Sequence, residues 1–146
     1  MNKPHSHDLR KGRISEAGRI YLVTTVTLER KPVFLNFSAA RCLIAALRSE
    51  EKLGRAHTLA FVVMPDHLHW LLELQKNATL SQVVGAIKSV TAHALRMSLW
   101  QDGFHDHALR RDEDLLALAR YVVANPLRKG LVKRLGDYSH WDAVWL

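Results

Sequence analysis

Residues Arg55 to Leu74 read RAHTLAFVVMPDHLHWLLEL, two runs rich in apolar and β-branched side chains separated only by Pro65 and Asp66. So short a break leaves no room for a crossover, so the two runs must return on one another as an antiparallel hairpin. Within the second run, successive side chains of a strand point to opposite faces. His67 and His69 therefore share one face, while Leu68 and Trp70 share the other. Two further His-x-His pairs occur. His5 and His7 stand in a polar arm, and His105 and His107 in a segment without a clear period. Only His67 and His69 rest on an apolar platform that would hold both rings in place.

The rest of the chain is organised around that hairpin. Arg19 to Leu28 (RIYLVTTVTL) is dense in β-branched and aromatic residues and is expected to be a strand. Asn36 is placed to cap a helix whose apolar positions Phe37, Ala40, Ile44 and Leu47 recur at helical spacing, and Gly54 ends it. Thr79 and Gln82 form a capping-box pattern that opens a second helix running to about Met97. The stretch LWQDGFHDHAL is expected to hold a short strand or an ordered loop. Asp112, Glu113 and Asp114 then complement the positive end of a third helix, which Pro126 limits. Residues 1–17 are expected to be a flexible basic arm and 138–146 a tail, with 1–146 forming one domain. The element order does not alternate as a doubly wound sheet would. It fits an α+β plan, an antiparallel sheet with helices on one face, resembling a ferredoxin-like fold.

The formal net charge of +7 suggests a polyanionic partner, nucleic acid before an acidic membrane. No apolar run is long enough to span a bilayer and the first residues lack an apolar signal core, so a cytoplasmic protein is expected. The single cysteine, Cys42, lies among apolar neighbours and cannot form an internal disulfide. Two imidazoles on one strand face can grip a divalent ion, but Mg²⁺ or Mn²⁺ prefers further ligands with oxygens among them. Asp66, Asp106, Asp142 and the amide oxygen of Asn125 are the candidates for the third position. In YVVANP, Tyr121 and Asn125 are four residues apart and so neighbours on one helical face. Val122 and Val123 continue the apolar side of Leu115, Leu118 and Ala119.

Taken together, VMPDHLHWLL, WQDGFHDHALR and YVVANPLRKGLV resemble three successive signatures of the HUH single-tyrosine transposases, in particular the REP-associated tyrosine transposases of bacteria. The likeness runs from about Gly18 to Tyr138. It implies an HUH nuclease fold, with His67, His69 and Asn125 as ligands of Mg²⁺ or Mn²⁺ and Tyr121 as the nucleophile. The implied activity is cutting and rejoining single-stranded DNA beside REP-like hairpins through a 5′-phosphotyrosine intermediate. Lys88, Arg110, Arg111, Arg120 and Arg128 lie near the signature segments and are expected to track the DNA backbone. Trp100, Phe104, Trp141 and Trp145 could stack on bases, although packing explains each as well. The resemblance leaves open a monomer with its tyrosine acting in cis or a homodimer that swaps tyrosine helices. Two other readings of the same residues are a non-catalytic hairpin or single-stranded DNA-binding module and a small hydrolase using a zinc-bound water.

Overall fold

The computed structural model describes residues 18–110, 115–125 and 141–143, the last three through their backbone alone. Its elements are β1 (Ile20–Val26), α1 (Phe37–Lys52), β2 (Ala56–Met64), β3 (His67–Leu74), α2 (Leu80–Leu95), β4 (His105–Ala108), α3 (Leu115–Val123) and β5 (Trp141–Ala143). The strands form one antiparallel sheet in the order β4-β1-β3-β2-β5. The first four strands reproduce the split β-α-β arrangement expected of a ferredoxin-like fold, with β3 inserted between β1 and β2. Among the described residues no helix is long and apolar enough to cross a membrane.

Local chemistry sets the element ends where the sequence placed them. The Asn36 side chain accepts from the Ala39 amide at 2.9 Å and starts α1. The capping box of α2 is complete, with Thr79 accepting from the Gln82 amide and the Gln82 side chain accepting from the Thr79 amide. The second helix stops at Leu95, just short of Met97, because Arg96 turns left-handed (φ 54°) to cap it. Phe37 departs from its expected role: it opens α1 but is largely exposed, while Ala40, Ile44 and Leu47 are buried as the period requires. The uncertain stretch before α3 contains β4. Trp100 and Phe104 around it serve packing: Trp100 donates to the Thr91 hydroxyl and lies 5.5 Å from the Phe34 ring, and Phe104 is buried in the main core.

The expectation that the helices occupy one face is corrected. The β1–β3 register pairs Tyr21 with Leu72, Val23 with Trp70 and Thr25 with Leu68 on one face; on the other it pairs Leu22 with Leu71, Thr24 with His69 and Val26 with His67. Val23, Trp70, Leu72, Phe61 and Val63 join the apolar sides of α1 and α2 in one core. A second core on the opposite face joins Leu59, Ala60 and Leu71 to Ala119 and Val123 of α3. Val62 and Met64 meet Val122 beside it. The reason is that β2 is buried from Leu59 to Met64 without a break. A strand apolar on both faces needs cover on both. A register shift between Thr58 and Ala60 leaves Leu59 outside the regular pairing, and Leu59 joins Ala60 under α3.

Because Leu71 is wholly buried between sheet and helix, Leu71→Ala is expected to cost about 2–5 kcal/mol. Urea unfolding checks this, and a loss below about 1 kcal/mol means that α3 is not docked as described.

Candidate functional site

The face that carries α3 is apolar beneath that helix and presents His67 and His69 at one end. Here the strand register does the assembly: Thr24 of β1 lies beside His69, Val26 beside His67, and Val62 and Met64 of β2 flank the histidines from the other side. Docking of Ala119, Val122 and Val123 then brings the end of α3 over the same region. The outcome is a cavity of about 270 Å³ lined by Thr24, Val26, Arg30, His67, His69, Tyr121 and Asn125. The two histidines of one strand and the tyrosine and asparagine of a helix far along the chain thus share one space, as the sequence pattern implied.

Each imidazole is fixed from behind. The rings of His67 and His69 lie 4.7 Å apart between centroids and nearly perpendicular, at 80°. His67 Nδ1 is 2.7 Å from Asp66 Oδ1, and His69 Nδ1 is 2.9 Å from the Thr24 hydroxyl. A carboxylate accepts only, so neutral His67 donates from Nδ1 and Nε2 is the nitrogen with a lone pair for a ligand. Partial burial pushes the Asp66 carboxyl up, but hydrogen bonds from His67 and Arg30 and their charge outweigh it and hold the group below its ordinary value. Asp66 is therefore a support behind His67. Asp106 pairs with Val23 and so sits on the opposite sheet face from His69, and Asp142 lies on β5, whose side chains are outside the description.

Asn125 lines the cavity with the histidines, and its environment fits an oxygen ligand. The residue is 2% exposed, lines the cavity, and its Oδ1 has no hydrogen-bond partner among the described residues. An orphaned buried acceptor costs about 1–3 kcal/mol. A cation beside two neutral imidazoles offsets that cost, so the residues present fit the divalent metal that the resemblance implies. Tyr121 lines the same cavity and is 54% exposed.

The predicted basic contacts divide. Arg120 is exposed on α3 next to Tyr121, and Arg110 is exposed just beyond β4; neither lines the cavity. Arg111 and Arg128 lie outside the described residues. Lys88 is engaged within the fold. Its ammonium donates to the carbonyl oxygens of Gln101 (2.8 Å) and Gly103 (2.7 Å), tying α2 to the loop before β4. Thr24, Asp66 in its supporting role, and Arg30 were not read from the sequence. Thr24 alternates with Val23 like any strand residue, and nothing local tells that its neighbour will be His69.

Comparison with known proteins identifies the family and the fold. A family model described as "Transposase IS200 like" matches residues 18–125. A REP-associated tyrosine transposase of Escherichia coli K12 is 32% identical over 81 residues, covering 54% of this chain and 49% of that protein. The chain therefore spans about half the length of that relative. A Haemophilus influenzae protein named as a candidate REP-associated tyrosine transposase is 25% identical over 143 residues, covering 84% of this chain and 78% of its own. Among solved structures, a REP-associated tyrosine transposase bound to a REP hairpin superimposes with a TM-score of 0.78 at 25% identity, covering 88% of this chain and 79% of that one.

The support behind His67 is open to direct test. Long-range ¹H–¹⁵N spectra are expected to show neutral His67 protonated at Nδ1, and Asp66→Ala is expected to release that proton to either nitrogen. A wild-type ring protonated at Nε2 contradicts the arrangement.

Proposed function

The chain belongs to the IS200-like transposase family, and from that premise we propose that it cuts and rejoins single-stranded DNA beside REP-type hairpins through a covalent tyrosine intermediate. The observation that carries this reading is that Tyr121 and Asn125 line the same cavity as His67 and His69. A hairpin partner is supported by the solved relative, which is bound to a REP hairpin.

In the proposed reaction the Tyr121 hydroxyl oxygen attacks the phosphorus of a phosphodiester. The P–O3′ bond breaks, the departing 3′ oxygen takes up a proton and the phenol loses one. The products are a free 3′-OH and a 5′-phosphate ester on Tyr121. Attack by a 3′-OH from another strand end reverses each step and releases the tyrosine. One phosphodiester is exchanged for another of similar energy, so no nucleotide hydrolysis is required. A neutral phenol is a weak nucleophile, so the phosphate must be the activated partner. His67, His69 and Asn125 would hold Mg²⁺ or Mn²⁺, which when bound neutralises phosphate charge and orients the group for in-line attack. Asp66 and Thr24 keep the imidazoles in place, and the packing of Val122 on Val62 and of Ala119 and Val123 with Leu71 holds α3 against the sheet. In this reading exposed Arg110 and Arg120 meet backbone phosphates outside the cavity.

With Mg²⁺ or Mn²⁺ and a labelled hairpin oligonucleotide with unpaired ends, the wild-type protein is expected to form an adduct that survives denaturation. Tyr121→Phe is expected to abolish the adduct and keep hairpin affinity within about twofold. Absence of any wild-type adduct across a panel of hairpins leaves a binding module in place of the enzyme, whereas metal-dependent cutting that persists in Tyr121→Phe points to a water nucleophile. Asn125→Ala is expected to weaken Mn²⁺ binding by about tenfold or more, measured by electron paramagnetic resonance without DNA. Because Oδ1 has no partner among the described residues, the metal-free stability of this variant is expected to fall by little more than the side-chain packing it removes; unchanged Mn²⁺ affinity rules Asn125 out as a ligand.

A further inference from the structure

Arg30 lines the cavity with the proposed catalytic residues, although no motif pointed to it. It sits in the turn after β1, where Glu29 (φ 57°) and Arg30 (φ 54°) are both left-handed, a conformation that disfavours any residue with a Cβ. Buried Thr27 braces the turn against the β2–β3 corner. The Thr27 amide donates to the Asp66 carbonyl at 2.9 Å, its hydroxyl lies within hydrogen-bonding distance of the carbonyls of Lys31 and Asp66, and the Phe34 amide donates to the Pro65 carbonyl. The turn is therefore held in a strained shape by its surroundings.

That strain is not explained by the one ion pair it yields. Arg30 Nη1 meets Asp66 Oδ2 at 2.9 Å, but the Arg30 side chain is 63% exposed, and pairs this open contribute little to folding. A strained backbone that stability does not account for is instead a mark of function. The pair does have a geometric effect. Asp66 gives Oδ1 to His67 and Oδ2 to Arg30, so one carboxylate fixes the position of a guanidinium relative to the imidazole. Among the described residues Asp66 takes a single donor from the Arg30 side chain, and a guanidinium has five, arranged in a fork that suits phosphate oxygens.

We propose that Arg30 is a phosphate-binding residue of the site, gripping a non-bridging oxygen of the single-stranded DNA phosphodiester that enters the cavity, with Asp66 and the left-handed turn holding it in position. This rests on the single-stranded DNA reading above. It makes the turn at 28–30 a part of the site, contributed by neither the histidine strand nor the tyrosine helix.

The left-handed backbone supplies a clean test, because Arg30→Gly removes the guanidinium while relieving strain. Binding of fluorescein-labelled oligo(dT) and of a hairpin oligonucleotide is measured against salt for wild type, Arg30→Gly, Arg30→Lys and Arg48→Gln. Arg48 is exposed on α1, on the face of the sheet away from the cavity. Arg30→Gly is expected to melt at or above the wild-type temperature and to lower the slope of log K against log salt by about 0.7, one single-strand phosphate contact. It should also slow adduct formation about 100-fold. Arg30→Lys should keep the slope and recover part of the rate, and Arg48→Gln should change neither. An unchanged slope in Arg30→Gly, an equal fall in Arg48→Gln, or a clear loss of thermal stability in Arg30→Gly overturns the proposal, as does wild type that binds neither strand. If wild type binds with a salt slope but forms no adduct, the strand-transfer reading fails while the slope still decides the role of Arg30.

Discussion

Burial of the β2–β3 hairpin on both faces is the constraint from which the rest of the structure follows. Trp70, Leu72, Phe61 and Val63 face α1 and α2, and Leu71, Ala60, Val62 and Met64 face α3. With about 25 cal/mol per Å² at stake for apolar surface, leaving either face in water is not tolerable, so the chain must supply a cover for each. The two crossover helices of the ferredoxin-like core serve one side. The helix bearing Tyr121 serves the other, which brings Tyr121 and Asn125 to the histidines.

The site is thus a defect made on purpose in an apolar layer. His67 and His69 interrupt a strand that would otherwise bury Leu and Trp throughout, and each ring is compensated by a partner, Asp66 or Thr24. Asn125 is not compensated within the described residues. An unpaired buried amide oxygen is a standing cost, and it sits where a cation would remove it. The strained turn at Glu29 and Arg30 is a second departure from what stability alone would choose, on the opposite rim of the same cavity. Departures of both kinds gather at functional sites because the surrounding packing is stable enough to hold them.

Much of this was legible residue by residue. The Pro65–Asp66 break forced the hairpin, alternation placed both histidines on one side, and Asn36 and Thr79 marked helix starts that the structure keeps. The spacing of Tyr121 and Asn125 on one helix was visible as well. The unbroken apolar run from Leu59 to Met64 was also there to be read as a strand buried on two faces, and it was the signal that the third helix lies across from the other two. Lys88 shows the opposite limit: a helix lysine in a basic protein looks the same in sequence whether it meets phosphate or, as here, two backbone carbonyls.

By itself, the order of residues determined what depends on near neighbours: strand and helix segments, their caps, the face that each strand residue shares with those two positions away, and the pairing forced by a two-residue turn. Only the tertiary structure decided which distant groups meet, because strand register and helix docking sum many weak contacts over the whole domain. That is why His69 lies beside Thr24, why Asp106 is carried to the other side of the sheet, why Arg30 leans on Asp66, and why Tyr121 lines one cavity with the histidines.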